Sequence, residues 1–168
     1  MIKAYTGYKD YKRLLRRLQG LLEEGLGSQL VGLVLFGSVA RGTAGEKSDI
    51  DMLVVFDGDR AKVQEIFVKT VIKLRRTHEY QDMAESGYFP DPFPIFMNLA
   101  RLKTHPWILL DIADHGIIML DKKKIIETEF ARLKRRLREL GSKKVFLEDG
   151  TWYWDLKPDW KPGEIIEI

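Results

Sequence analysis

Leu30-Val31-Gly32-Leu33-Val34-Leu35-Phe36-Gly37-Ser38-Val39-Ala40-Arg41-Gly42, followed after a polar loop by Ser48-Asp49-Ile50-Asp51-Met52, is the stretch that decides the fold of this chain. Leu30 to Phe36 is apolar without alternation, as a strand covered on both faces must be. Gly37 breaks it and lets the backbone approach a ligand closely. Ser38, opening a short helix, offers backbone N–H groups and a hydroxyl to a phosphate. From Asp49 to Phe56 acid alternates with apolar before the run becomes wholly apolar, and Asp57-Gly58-Asp59 closes it as a turn, which makes a second strand. Asp49 and Asp51 are two apart, so both project from one face while Ile50 points into the core. Two carboxylates side by side repel unless a cation lies between them, and hard oxygen ligands suit Mg²⁺ or Mn²⁺. A phosphate cradle facing a divalent metal is the equipment of phosphoryl or nucleotidyl transfer, where catalysis is mostly positioning and charge neutralisation.

Upstream, Tyr8, Tyr11, Leu14, Leu15, Leu18 and Leu22 recur at three and four, the stripe of an amphipathic helix, with glycines at 20, 25 and 27 expected to end it. Downstream, Val63, Ile66, Phe67, Val71 and Leu74 mark a helix whose far end, from Arg75 into Gln81, is polar. Prolines at 90, 92 and 94 force an extended approach to an edge strand at Ile95 to Leu99. Thr104 and Pro106 signal a helix through Trp107, Leu110 and Ile112 to a stop at Gly116, and Ile117 to Leu120 reads as a short last strand. Ile126, Phe130, Leu133, Leu137 and Leu140 predict a long helix with one apolar seam and many basic residues elsewhere, stopped by Gly141. Residues 142–168 hold three of the four tryptophans and predict a hairpin or an extended arm. The whole predicts an α/β (α+β) fold with helices packed on a small mixed sheet. Residues 1–121 form the main domain, and 122–168 are a basic helix and Trp-rich extension packed on it or on a partner.

With 168 residues, 45% of them hydrophobic, the chain can bury one core of ordinary size. The absence of cysteine excludes disulfides, thiolate metal sites and a cysteine nucleophile. His78, His105 and His115 have no mutual ligand spacing. Met1 to Tyr5 contains no leader pattern, and no stretch approaches the roughly 20 apolar residues of a membrane span, so a soluble cytoplasmic protein is expected. Abundant Lys, Arg and Glu beside a single asparagine, Asn98, suit a thermophilic source. The net charge is only +3, but Lys122 to Lys144 is heavily basic, which favours anionic ligands.

The spacing Gly37-Ser38, ten residues, Asp49-Ile50-Asp51 resembles the signature of the DNA polymerase β-type nucleotidyltransferase superfamily. The longer form, Gly-Ser-x-Ala-Arg-Gly ending in Ser-Asp-Ile-Asp, is similar to its compact prokaryotic branch, the minimal nucleotidyltransferases. A looser likeness extends over Leu109 to Ala113 and Gly116 to Asp121. The resemblance implies transfer of a nucleoside monophosphate from an NTP, ATP first among them, to a hydroxyl of a protein or small acceptor. Asp49 and Asp51 would hold Mg²⁺ or Mn²⁺, and Gly37, Ser38, Arg41 and Ser48 would meet the nucleotide. Arg41 could equally pair with a nearby acid, and the Ser48 hydroxyl also suits its own turn. The superfamily takes a third carboxylate from a later strand. Here Ile95-Phe96-Met97-Asn98-Leu99 has none, and Asn98 is a neutral, weaker ligand; the nearest acid, Asp91 between two prolines, is the candidate third catalytic group, able to swing toward the site or simply to shape the turn. The branch also implies a helical partner of the HEPN type, with this chain as antitoxin. The alternative is a nucleotide-binding module that acts through complex formation without turnover. A nucleic-acid acceptor is supported only by the basic helix.

Overall fold

The computed structural model describes residues 4–168. Met1, Ile2 and Lys3, part of the stretch read for a leader, lie outside the described residues. Helix α1, Tyr8–Leu26, buries Tyr11, Leu14, Leu15, Leu18 and Leu22 along the expected stripe. Gly20 and Gly25 do not end it; both lie inside, and only Gly27 follows the last turn. A Cβ at Gly25 would stand 2.8 Å from the Ile66 Cγ2. The glycine is thus where α1 meets the helix that carries Ile66, and packing outweighs a helix-propensity loss of about 1 kcal/mol.

Strand β1, Leu30–Leu35, is buried at every position. It is followed by α2 (Gly37–Arg41), β2 (Ile50–Phe56) and α3 (Arg60–Leu74), the last capped by Asp59, which accepts from the Lys62 N–H at 2.8 Å. The polar run expected to continue this helix instead starts another, α4, His78–Glu85. The Thr77 hydroxyl donates back to the Leu74 carbonyl at 2.6 Å and accepts from the Tyr80 N–H, closing one helix and capping the next. There follow β3 (Pro92–Asn98), α5 (Leu99–Leu102), α6 (Ile108–His115), β4 (Ile117–Asp121) and α7 (Ile125–Glu139). The chain closes with a hairpin of β5 (Lys143–Phe146) and β6 (Trp152–Asp155).

The four-stranded sheet has the order β3-β2-β1-β4, with β1 antiparallel to β2 and β4 and β3 parallel to β2. It is the mixed sheet expected. Strand β3 begins at Pro92, earlier than the sequence suggests, because its prolines cost the ladder nothing. The Asp91 carbonyl accepts from the Ile50 N–H at 2.9 Å, so alternation turns the donor-less positions 92 and 94 away from β2.

Each face of the sheet carries its own core. Leu33, Leu35, Met52, Val54 and Phe56 pack with residues of α1, α3 and α4. Val34, Leu53, Val55 and Met97 pack with residues of α6 and α7, and Leu156 and Trp154 of the extension join them. Each fully buried Leu or Phe contributes about 1.5–3 kcal/mol. In the hairpin, the Trp152 and Trp154 indoles both donate to the Asp111 Oδ1, at 3.3 and 3.2 Å. The Lys144 ammonium bonds Asp114 at 2.8 Å and lies 4.4 Å from the Trp152 ring centre. Among the described residues no helix is long and apolar enough to cross a membrane.

Candidate active site

The site stands where β1 ends. Alternation puts Asp51 on the face that carries Leu53 and Val55, at the end of β2 nearest the β1–α2 turn, where the Asp51 carbonyl accepts from the Phe36 N–H at 2.9 Å. Gly37 opens α2 with φ +70°, and a Cβ there would fall 1.9 Å from the Asp51 Oδ2. Only glycine fits, in both conformation and space. The first turn of the cradle is therefore seated directly on one of the two carboxylates.

Asp51 is half-buried and Asp49 exposed. Burial pushes the Asp51 carboxyl up from its ordinary value, the neighbouring Asp49 charge adds to this, and Arg41 opposes both. Arg41 therefore acts on the carboxylate pair, while its exposed side chain remains able to reach a ligand. The Ser48 hydroxyl accepts from the Gly45 N–H at 3.0 Å, and its own N–H donates to the Gly45 carbonyl at 3.0 Å, so Ser48 shapes the loop leading to Asp49. The loop between cradle and acids is tied to α1. The Ala44 N–H donates to the Thr6 carbonyl at 2.9 Å, while Asp10 accepts from the N–H groups of Thr6 and Gly7 at 3.0 and 3.2 Å. This anchoring was missed in the sequence, although an acid at the third position of a helix is a capping signal.

The candidate third groups are differently placed. Both oxygens of Asp91 are engaged: Oδ1 accepts from the Arg75 Nε at 2.9 Å and the Tyr80 hydroxyl at 3.0 Å, and Oδ2 pairs with the other arm of Arg75. It joins α3, α4 and β3, and is not the free carboxylate that could swing toward the metal. Asn98 pairs in register with Phe56, five residues along β2 from Asp51. At about 3.3 Å per residue that is roughly 16 Å away, and its side chain caps α5 by accepting from the Arg101 N–H at 2.8 Å. The residue in register with Asp51 is Phe93, 61% exposed. By alternation Phe93 and Ile95 share the Asp51 face, so β3 brings apolar side chains and no acid to this side. Counting alternation from Pro92 finds Phe93, provided the strand start is known.

On the other flank, Leu35 pairs with Ile117, and α6, which touches α2, ends at His115. The His115 Nε2 lies 3.0 Å from the Lys144 ammonium, so the Trp-rich hairpin stands at the same end of the sheet as the site.

Comparison with known proteins identifies the family and the fold. Among solved structures, spectinomycin adenyltransferase AAD(9) from Enterococcus faecialis, with ATP and spectinomycin, superposes with a TM-score of 0.52 at 12% identity, over 77% of this chain and 66% of that one. That likeness is one of fold. The toxin-antitoxin MntA-HepT gives a TM-score of 0.45 at 16% identity, over 77% of this chain and 88% of that one. A toxin-antitoxin with AMP-PNP gives 0.44 at 17%, over 75% and 91%. No curated protein matches. The family described as nucleotidyltransferase domain matches residues 15–145, from α1 through β5, with the cradle and both acids inside. This chain therefore belongs to the nucleotidyltransferase domain family.

Proposed function

We propose that this chain moves a nucleoside monophosphate from an NTP, ATP in the first instance, to a hydroxyl of a protein or small acceptor. The observation that carries the reading is Gly37 seated on the Asp51 carboxylate, which brings phosphate cradle and paired acids within one ligand's reach. Asp49 and Asp51 fit a hard divalent cation, because they are neighbouring carboxylates whose burial and mutual repulsion raise Asp51 and are only partly offset by Arg41. Mg²⁺ or Mn²⁺ bound there would neutralise phosphate charge and orient the triphosphate. Asp49 and Asp51 would hold such an ion from the protein side.

The α2 backbone at Gly37 and Ser38 holds the phosphates, and Arg41 balances their charge from the exposed side. The acceptor oxygen attacks the α-phosphorus, the bond to the β-phosphate oxygen breaks, and pyrophosphate leaves. The hydroxyl proton passes to water or to a group on the acceptor, since Asp91 is held by Arg75 and Tyr80. Phe93, exposed beside Asp51, is where the acceptor approaches. A helical partner of the HEPN type, with this chain as antitoxin, suits a site whose acceptor side is apolar and open. Residues 1–121 carry the chemistry, and 122–168 extend the second core.

Calorimetry of ATP with and without Mg²⁺ tests the site. Metal should tighten binding by about tenfold or more, and an equal affinity without metal would remove Asp49 and Asp51 as ligands. Label transfer from α-labelled ATP to a co-purified protein or small acceptor tests turnover. Metal-dependent binding without transfer to any acceptor supports the second reading, a nucleotide-binding module, which the apolar face of β3 favours.

A further inference from the structure

Residues 122–144 carry ten basic and three acidic side chains, while the rest of the chain carries 18 and 22. One segment thus concentrates +7 against −4 elsewhere. Most of it is α7, whose buried side faces the second core and whose outer side exposes Lys134, Arg135 and Arg138. The small side chains of Thr128 and Ala131 leave a depression of about 550 Å³ flanked by Lys124, Arg132 and Arg135, with Glu127 its one carboxylate. Beyond the helix end lies a groove of about 630 Å³ lined by Arg136, Arg138, Lys143 and Lys157, with Glu139 and Asp159.

Arg132 is held by Glu129 at 2.8 Å, Lys157 by Glu164 at 2.6 Å and Arg136 by the Glu167 carbonyl at 2.8 Å, while the other cations remain available to a ligand. Glu139 stands 3.9 Å from Arg135 and 3.6 Å from Arg136, and Glu127 is 3.7 Å from Lys124; such exposed pairs are weak. Lys134, Arg138 and Lys143 have no ion-pair partner among the described residues. Close to the groove stands Trp160, 49% exposed. Its indole N–H donates to the Glu164 carbonyl at 2.9 Å and its backbone N–H to the Lys157 carbonyl at 2.9 Å, so the ring is fixed while part of it stays open. Cations together with a fixed, partly exposed aromatic ring that adjoins the groove residues Lys157 and Asp159 are the combination that binds unpaired nucleotides, phosphates on the cations and a base on the ring.

We propose that the outer face of α7 and the groove near Trp160 bind a single-stranded nucleic acid, with Arg135, Arg138 and Lys143 on its phosphates and Trp160 stacked on a base. The surface is separate from Asp49 and Asp51, and the inference stands whether or not the chain transfers nucleotides.

Fluorescence anisotropy of the full chain with labelled oligouridine and oligothymidine of about 12 nucleotides, and with an RNA duplex, tests it. The salt range is about 50 to 200 mM. Binding to the single strands should weaken steeply with salt. Arg135→Ala, Arg138→Ala and Lys143→Ala together should cost about tenfold or more and flatten the salt slope by roughly 2. Trp160→Ala should cost about fivefold for single strands and leave any duplex binding unchanged. Asp49→Asn with Asp51→Asn, whatever it does to ATP binding, should leave oligonucleotide affinity and its salt slope within about twofold of wild type. Should the triple variant not fold, Arg138→Glu alone at its exposed position reads the same loss. Absence of binding at the lowest salt, or variants that bind as wild type, would overturn the proposal. So would loss of binding in the double aspartate variant, or displacement of the oligonucleotide by polyglutamate at equal charge, which would mark an acidic-polypeptide surface instead.

Discussion

Asp51 and Asp91 lie at the same end of two neighbouring strands, yet their surroundings are opposite. Asp91 has three donor contacts from Arg75 and Tyr80, and the partners register it: the Arg75 guanidinium is held protonated further above its ordinary range by bonding Asp91. The Asp51 carboxylate receives no hydrogen bond from the described residues and is pushed up by burial and by Asp49. The satisfied carboxylate ties scaffold elements together, whereas the electrostatically unfavourable one is the candidate for a ligand contact.

The contrast breaks most severely at Gly37. Gly37→Ala places a methyl group 1.9 Å from the Asp51 Oδ2 in a backbone conformation of φ +70°. It should cost on the order of 3 kcal/mol or more and abolish metal-dependent ATP binding. Thermal melts with calorimetry read both, and a wild-type melting temperature would mean that α2 is not seated on Asp51.

Next comes the pair itself. Asp49→Asn with Asp51→Asn should lower metal-dependent ATP affinity by about tenfold or more, yet raise the metal-free melting temperature at neutral pH. The sign follows from linkage. With its folded value above its unfolded one, Asp51 costs stability as pH rises from below the unfolded value through the folded one. Melting temperature against pH should therefore fall through that window in wild type and lose this component in Asp51→Asn. Metal-dependent ATP binding should run the other way, weakening as pH falls and Asp51 is protonated.

Asp91→Asn should do the reverse of the pair. The loss of charge-assisted bonds should lower stability by about 1–2 kcal/mol, discounted because Arg75 is about half exposed. ATP affinity should stay within about twofold, as for a group outside the site. A large drop in transfer with unchanged stability would return Asp91 to the chemistry. The smallest effect concerns another unsatisfied polar atom, the buried Tyr11 hydroxyl, which has no hydrogen-bond partner among the described residues and whose pKa is pushed up to about 12, chiefly by burial. Tyr11→Phe should stabilise the fold by about 1 kcal/mol, measured by denaturant melts, and a loss would reveal a partner for the hydroxyl.

The placement of the proposed cradle beside its two acids was legible in the sequence because the geometry is local. Gly37, Ser38, Asp49 and Asp51 lie on one strand–turn–strand unit, where periodicity alone tells which side chains share a face. The scaffold role of Asp91 was not, because its partners come from α3 and α4, and sequence carries no signal of that meeting. Asn98 misled for a related reason: its place beside Phe56 depends on a parallel register that only the folded sheet defines. Gly25 looked like a helix end because its cause, the approach of Ile66, lies on another helix.

The outward-turned prolines of β3 have a consequence for assembly. An edge strand normally offers a row of donors and acceptors on which another chain can grow a sheet. Here the N–H is missing at positions 92 and 94 along that rim, so an incoming strand would find carbonyls without the matching donors. The edge nearest Asp51 thus offers a poor template for strand-by-strand growth at positions 92 and 94, on the same margin where Phe93 is exposed.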